Sequence, residues 1–149
     1  MKNTATLTWV DGMQFVAGSG TGHAIVIDGD EEVGGHNTGP RPMELLLMGL
    51  LSCTAMDVLS VLQKKRQKVT ALNLYAEGQR AEEHPRRYTQ IHVTYVACGD
   101  VEEAALARAI QLSEERYCAA MATIRPAVQL SSSFRVERSG AGREQEEGA

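Results

Sequence analysis

The chain has 149 residues, 43% of them hydrophobic, and a formal net charge of −4. That length suits one domain with an ordinary core, and the lack of a dominant basic run argues against a nucleic-acid partner. Three cysteines, with no CxxC pair and no Cys/His spacing of the zinc type, point to reduced thiols rather than a disulfide framework, so neither a metal nor another cofactor is expected.

In chain order, Ala5 to Val10 alternate loosely between polar and apolar residues, Asp11-Gly12 follows, and Met13 to Ala17 resumes the alternation. Asp-Gly between two such runs is a hairpin signal. The cluster Gly18-Ser19-Gly20-Thr21-Gly22 leads into a third predicted strand, His23 to Ile27. It lacks the Lys-Ser/Thr ending of a phosphate-binding loop, and no helix follows it. The first 30 residues therefore read as a three-stranded meander, and Val33 to Pro42 as a loop. No apolar signal-peptide core is visible at the start, and the longest apolar run, Leu45 to Leu51, is shorter than the roughly 18 residues of a membrane span. A cytoplasmic protein with no membrane partner is the expectation.

The first long helix is predicted to start at Pro42, a favoured first helical residue, with Glu44 in the first turn where the helix dipole suits an anion. Met43 to Leu62 is apolar almost all round, which predicts a helix buried on most sides. One small sheet cannot cover it all, so a second subunit is expected to share the burial, making a homodimer. Lys64-Lys65-Arg66 reads as its solvated last turn.

Val69 to Glu77 and Tyr88 to Cys98 read as strands joined by a charged connector, the second with Ile91, Val93, Tyr95 and Ala97 on one face. Asp100 is the expected N-cap, with Glu103 at capping-box spacing. A second helix is predicted from Val101 to about Thr123, with Leu106, Ile110, Tyr117, Met121 and Ile124 on one stripe and many alanines that let another helix come close. Pro126 ends it, and Ala127 to Glu137 is a last strand. The order βββ-α-ββ-α-β describes an α+β domain over residues 1–138, with a Gly/Glu-rich segment, 139–149, expected to be disordered.

Chemistry centres on Cys53, inside the first helix, and Cys118, on the second. Gly49 lies one turn before Cys53 and Asp57 one turn after it. Read without further information, both cysteines could be small core residues, since free Cys is among the most buried types. Arg41, His36 and His23 are candidate cations for Cys53, although each also fits a plain loop or turn role. Cys98 reads as structural, and His84 and His92 join no constellation.

Gly39-Pro40-Arg41-Pro42-Met43-Glu44-Leu45-Leu46-Leu47, leading to Ser52-Cys53, resembles the OsmC/Ohr family pattern of a proline-acidic helix start with a cysteine in mid-helix. Glu114-Glu115-Arg116-Tyr117-Cys118 resembles the family's second cysteine segment, and the strand order agrees over about residues 5–137. Trp9-Val10-Asp11-Gly12, Pro42-Met43-Glu44 and Asp57 to Lys64 are similar to its YhfA-like branch. The resemblance implies an intertwined homodimer with two active sites at the subunit interface. It further implies that Cys53 attacks an organic hydroperoxide and that Cys118 resolves the sulfenic acid, with an unidentified dithiol as reductant. Peroxidase members carry an arginine in the N-terminal strand region and a glutamate directly after the helix-start proline. Here no arginine precedes Arg41, and Met43 follows Pro42. Arg41 is thus the candidate substitute, and slower chemistry is expected. The second function to weigh is an OsmC-like protein that binds an apolar small molecule at the dimer interface with weak or no peroxidase activity.

Overall fold

The structure, a computed structural model, describes residues 1–138; the disorder expected over 139–149 lies outside the described residues. The chain forms two compact units, one of residues Met1–Met48 and one from Gly49 onward.

The first unit holds β1 (Ala5–Asp11), β2 (Gln14–Ser19) and β3 (Ala24–Ile27) in an antiparallel sheet of order β1-β2-β3, the expected meander. Gly12 turns the first hairpin at φ 51°, where a side chain would also run into the Gly34 carbonyl. The Trp9 indole N–H closes the turn by donating to the Gly12 carbonyl at 2.9 Å.

After β3 the chain is organised by Asp28, which is 1% exposed. Its carboxylate accepts the Thr38 hydroxyl at 2.6 Å and the backbone N–H groups of Gly29, His36 and Thr38 at 2.7, 3.2 and 3.2 Å. The Thr38 hydroxyl is the main cause that holds its pKa down to about 2, with the backbone N–H groups adding and burial opposing. Two turns later, Glu44 reaches back to accept the Arg41 N–H at 2.8 Å, the reciprocal half of a capping box at the start of α1 (Pro42–Lys64).

From α1's own chain, the fully buried residues are Leu50, Thr54, Val58 and Leu62, a stripe at i, i+4 spacing. The sequence predicted burial on most sides; within one chain Leu46, Met48 and Met56 remain exposed. By length and composition α1 could also cross a membrane, a property it shares with core helices of soluble proteins.

The second unit holds β4 (Lys68–Arg80), β5 (Tyr88–Asp100) and β6 (Gln129–Glu137), in the order β4-β5-β6. β4 and β5 are antiparallel, whereas β5 and β6 run parallel. A parallel pair needs a crossover, supplied by α2 (Glu103–Leu112), a π-turn (Ser113–Tyr117) and α3 (Ala119–Ile124). The core gathers on central β5, where Ile91, Val93, Tyr95, Val96 and Ala97 are all buried, together with Leu106, Ala109 and Ile110 of α2 and Met121 of α3.

Two sequence expectations are corrected. Asp100 is no N-cap: its pairing with Lys68 extends the β4–β5 ladder, through Gly99 at φ 116°, so sheet hydrogen bonds outcompete capping. Glu102 occupies the cap instead, with its N–H donated to the Gln67 side-chain oxygen at 2.8 Å. The second helix is also not continuous. Cys118 is extended (φ −71°, ψ 100°), its N–H donates to the Ser113 carbonyl at 2.8 Å, and its sulfur accepts the Met121 N–H at 3.5 Å to start α3. The wide π-turn leaves no room for regular helical bonds across this joint.

Candidate active site

Cys53 lies in mid-helix beside the buried stripe of α1 and is half-buried, while Cys118 at the α2–α3 joint is 3% exposed. Neighbouring helical residues diverge by roughly 100°, so Thr54 points into the core and Cys53 lies at its edge. The structure brings the two thiols together. Burial pushes the Cys118 pKa up to about 11, against a weak lowering by the Met121 N–H. A hydrogen bond to Cys53, the Cys53 charge and the Asp57 carboxylate push it further in the same direction. Cys118 is therefore a protonated thiol at neutral pH, with Cys53 beside it.

Around the pair runs a buried chain of hydroxyls that sequence reading missed. The Ser113 hydroxyl donates to Asp57 Oδ2 at 2.9 Å and pairs with the Thr54 hydroxyl at 2.8 Å. Thr54 pairs in turn with the Tyr95 hydroxyl at 2.8 Å, and Tyr95 reaches Glu114 Oε1 at 3.3 Å. Thr54, Tyr95 and Ser113 are fully buried. Tyr95 is held far above the usual phenol range, first by burial and then by the charge of Glu114. These contacts tie α1, β5 and the π-turn to one another, and they place Asp57 and Glu114 at the two ends of the chain. The only sequence signal was polar residues in otherwise apolar surroundings, a Thr inside α1 and a Tyr on the apolar face of β5.

The remaining candidates have local partners. In the Met1–Met48 unit the Arg41 guanidinium donates to the Gly39 carbonyl at 3.0 Å and to Asn37 Oδ1 at 2.8 Å, with Asp30 Oδ2 at 3.7 Å. There too His36 meets Asp11 at 3.2 Å, and His23 meets the Thr21 hydroxyl at 3.2 Å. His92 links β5 to β6 through the Ser131 and Ser133 hydroxyls at 2.7 and 2.9 Å. The Cys98 thiol points to Glu137 at 4.0 Å, and His84 is exposed on the β4–β5 connector.

The chain has clear relatives. Residues 35–133 match the family model described as OsmC-like protein. Protein YhfA of Escherichia coli (strain K12) is 38% identical over 133 residues, covering 89% of this chain and 96% of that protein. A hypothetical protein from Aquifex aeolicus VF5 superposes with a TM-score of 0.82 at 36% identity, over 93% of this chain and 98% of its own. The organic hydroperoxide resistance protein OhrB of Bacillus subtilis shares the fold at a TM-score of 0.62 and 16% identity, over 91% of this chain and 98% of its own. With its α+β architecture and its match over most of its length, this chain belongs to the OsmC-like protein family.

Proposed function

We propose that this protein reduces organic hydroperoxides with Cys53 as the attacking thiol and Cys118 as the resolving thiol. The observation that carries the reading is the Thr54–Ser113 contact at 2.8 Å, which holds the π-turn ending at buried Cys118 against the helix that carries half-buried Cys53. The half-buried thiol can meet a substrate, and the buried one waits beside it. In the first step a sulfur–oxygen bond forms at Cys53, the peroxide O–O bond breaks, and the departing alkoxide takes a proton to leave as alcohol. In the second, Cys118 attacks the sulfenic sulfur, the S–S bond forms, and hydroxide leaves as water with the Cys118 proton. An external dithiol then returns both thiols to the reduced state and is itself oxidised to a disulfide. The name of the Bacillus subtilis neighbour, an organic hydroperoxide resistance protein, supports this substrate class.

Arg41 is proposed, from its place in the sequence, as the cation that assists Cys53. The protein is further proposed to be a cytoplasmic homodimer: three free thiols suit a reducing compartment, and exposed Leu46, Met48 and Met56 on α1 suit a covering partner. The test is consumption of an alkyl hydroperoxide with a dithiol reductant. Cys53→Ser is expected to abolish turnover. Cys118→Ser is expected to keep the first oxidation and then lose Cys53 to sulfinic acid. Arg41→Ala is expected to slow Cys53 oxidation alone. An inert wild type, at any pH where the thiolate is present, would sink the peroxidase reading in favour of an apolar-ligand binder.

A further inference from the structure

Ser113 touches both halves of the thiol site. Its hydroxyl bridges Asp57 and Thr54 of α1, the helix that carries Cys53, and its carbonyl takes the Cys118 N–H at 2.8 Å. The π-turn that begins at Ser113 ends at Cys118, so what holds Ser113 also places the second thiol. Single π-turns recur at functional sites because they re-aim a residue that a regular helix would point elsewhere.

The hydroxyl chain has an unusual hydrogen count. Ser113, Thr54 and Tyr95 carry three hydroxyl hydrogens, and the path from Asp57 to Glu114 has four contacts. With acceptor carboxylates at both ends, Ser113 donates to Asp57 and Tyr95 to Glu114, so the single Thr54 hydrogen serves either Ser113 or Tyr95, and one contact is always without a hydrogen. The Tyr95–Glu114 contact, at 3.3 Å, is the longest of the four. When Thr54 donates to Tyr95, Ser113 can turn its hydrogen from Asp57 to Thr54, which frees the Ser113–Asp57 contact.

We propose that the chain Asp57–Ser113–Thr54–Tyr95–Glu114 is a positioning clamp for disulfide closure, which holds the π-turn against α1 so that Cys118 faces Cys53. Thr54, Ser113 and Tyr95 are positioning residues: they touch neither peroxide nor the reacting sulfurs. The clamp can release its grip on Asp57 without stranding a buried hydroxyl, which lets Cys118 advance on Cys53 and return. This inference rests on the reading of the two cysteines as a redox pair, and it concerns the closing step alone.

The test isolates that step from peroxide chemistry. In full-length protein carrying Cys98→Ser, Cys53 is converted to a mixed disulfide with thionitrobenzoate. Cys118 then displaces the aryl thiol: the Cys53–Cys118 bond forms, the bond to the aryl sulfur breaks, the coloured aryl thiolate leaves, and the Cys118 proton goes to solvent. Thr54→Val, which keeps the shape and loses the hydroxyl, is expected to slow release about tenfold, on the scale of one net hydrogen bond. Thr54→Ser is expected to restore it, and alkylation of Cys53 is expected to stay unchanged in both. Tyr95→Phe, which removes Thr54's partner without touching α1, is expected to slow release as well, and it serves if Thr54→Val does not fold. Unchanged release in Thr54→Val or Tyr95→Phe would overturn the clamp, as would a Thr54→Ser variant as slow as Thr54→Val. A parent protein that releases no aryl thiolate would overturn both the clamp and the redox pair. Normal release in a protein inert to peroxides would overturn the peroxide reading and leave the clamp standing.

Discussion

A thiol held near pKa 11 stays protonated across the neutral range, which protects Cys118 from direct oxidation. The same shift makes a statement about stability. The folded value lies above the ordinary 9.0, so the folded state favours the protonated thiol. The stabilisation is complete below about pH 9 and is lost as the pH rises through about 11. Tyr95 is raised too and titrates in the alkaline range, and Cys53, Asp57 and Glu114 also face this cluster. The share of Cys118 is therefore read as a difference: urea unfolding midpoints of wild type are expected to fall more steeply between pH 9 and 11 than those of Cys118→Ala. Parallel curves would count against the shift. Both cysteines were legible in the sequence because they stand in motifs. Thr54 and Ser113 were not, since a hydroxyl buried in a helix leaves the apolar rhythm around it intact. Asp28 was missed for a related reason: its partners lie eight to ten residues downstream and form no period.

Periodicity made the elements legible and concealed one break. Leu106, Ile110 and Met121 are all buried, as the single-helix stripe required, yet Tyr117 on the same stripe is 51% exposed. That residue marks the slip in phase where the π-turn takes over and Cys118 leaves the helix. Alanine-rich, uninterrupted sequence on both sides gave no Gly or Pro to announce it. The strand pair β4–β5 ran longer than predicted because ladder pairing carried both strands beyond their apolar cores, to Lys68 and Asp100. In α1 the buried stripe sets what the helix contributes to stability. Leu62 is fully buried, so Leu62→Ala is expected to cost about 2–5 kcal/mol in chemical unfolding. A loss below about 1 kcal/mol would mean that the helix end is not packed as described.

At the scale of the whole molecule, the apolar surface exceeds what a single chain hides. Leu7, Trp9 and Ile25 of the first unit are exposed, as are Met56, Tyr75 and Phe134 of the second. Isolated exposed apolar residues are ordinary, but this number on so small a chain argues for a covering partner, and closed twofold pairing is the commonest solution. Sedimentation at micromolar concentration is expected to give a dimer; a stable, well-folded monomer would refute that. The sequence made the overall order of strands and helices legible, whereas the parallel pairing of β5 with β6 was not, because strand direction leaves no mark in composition. That pairing has a consequence for solubility. Without β6, the flank of β5 from Gln90 to Cys98 would present open backbone among some of the most apolar side chains in the protein, a template on which foreign strands could grow. The crossover lays a strand that carries Ser131-Ser132-Ser133 along that stretch, so the border offered to other chains there is short, polar and exposed, and the apolar middle of β5 is paired on both sides.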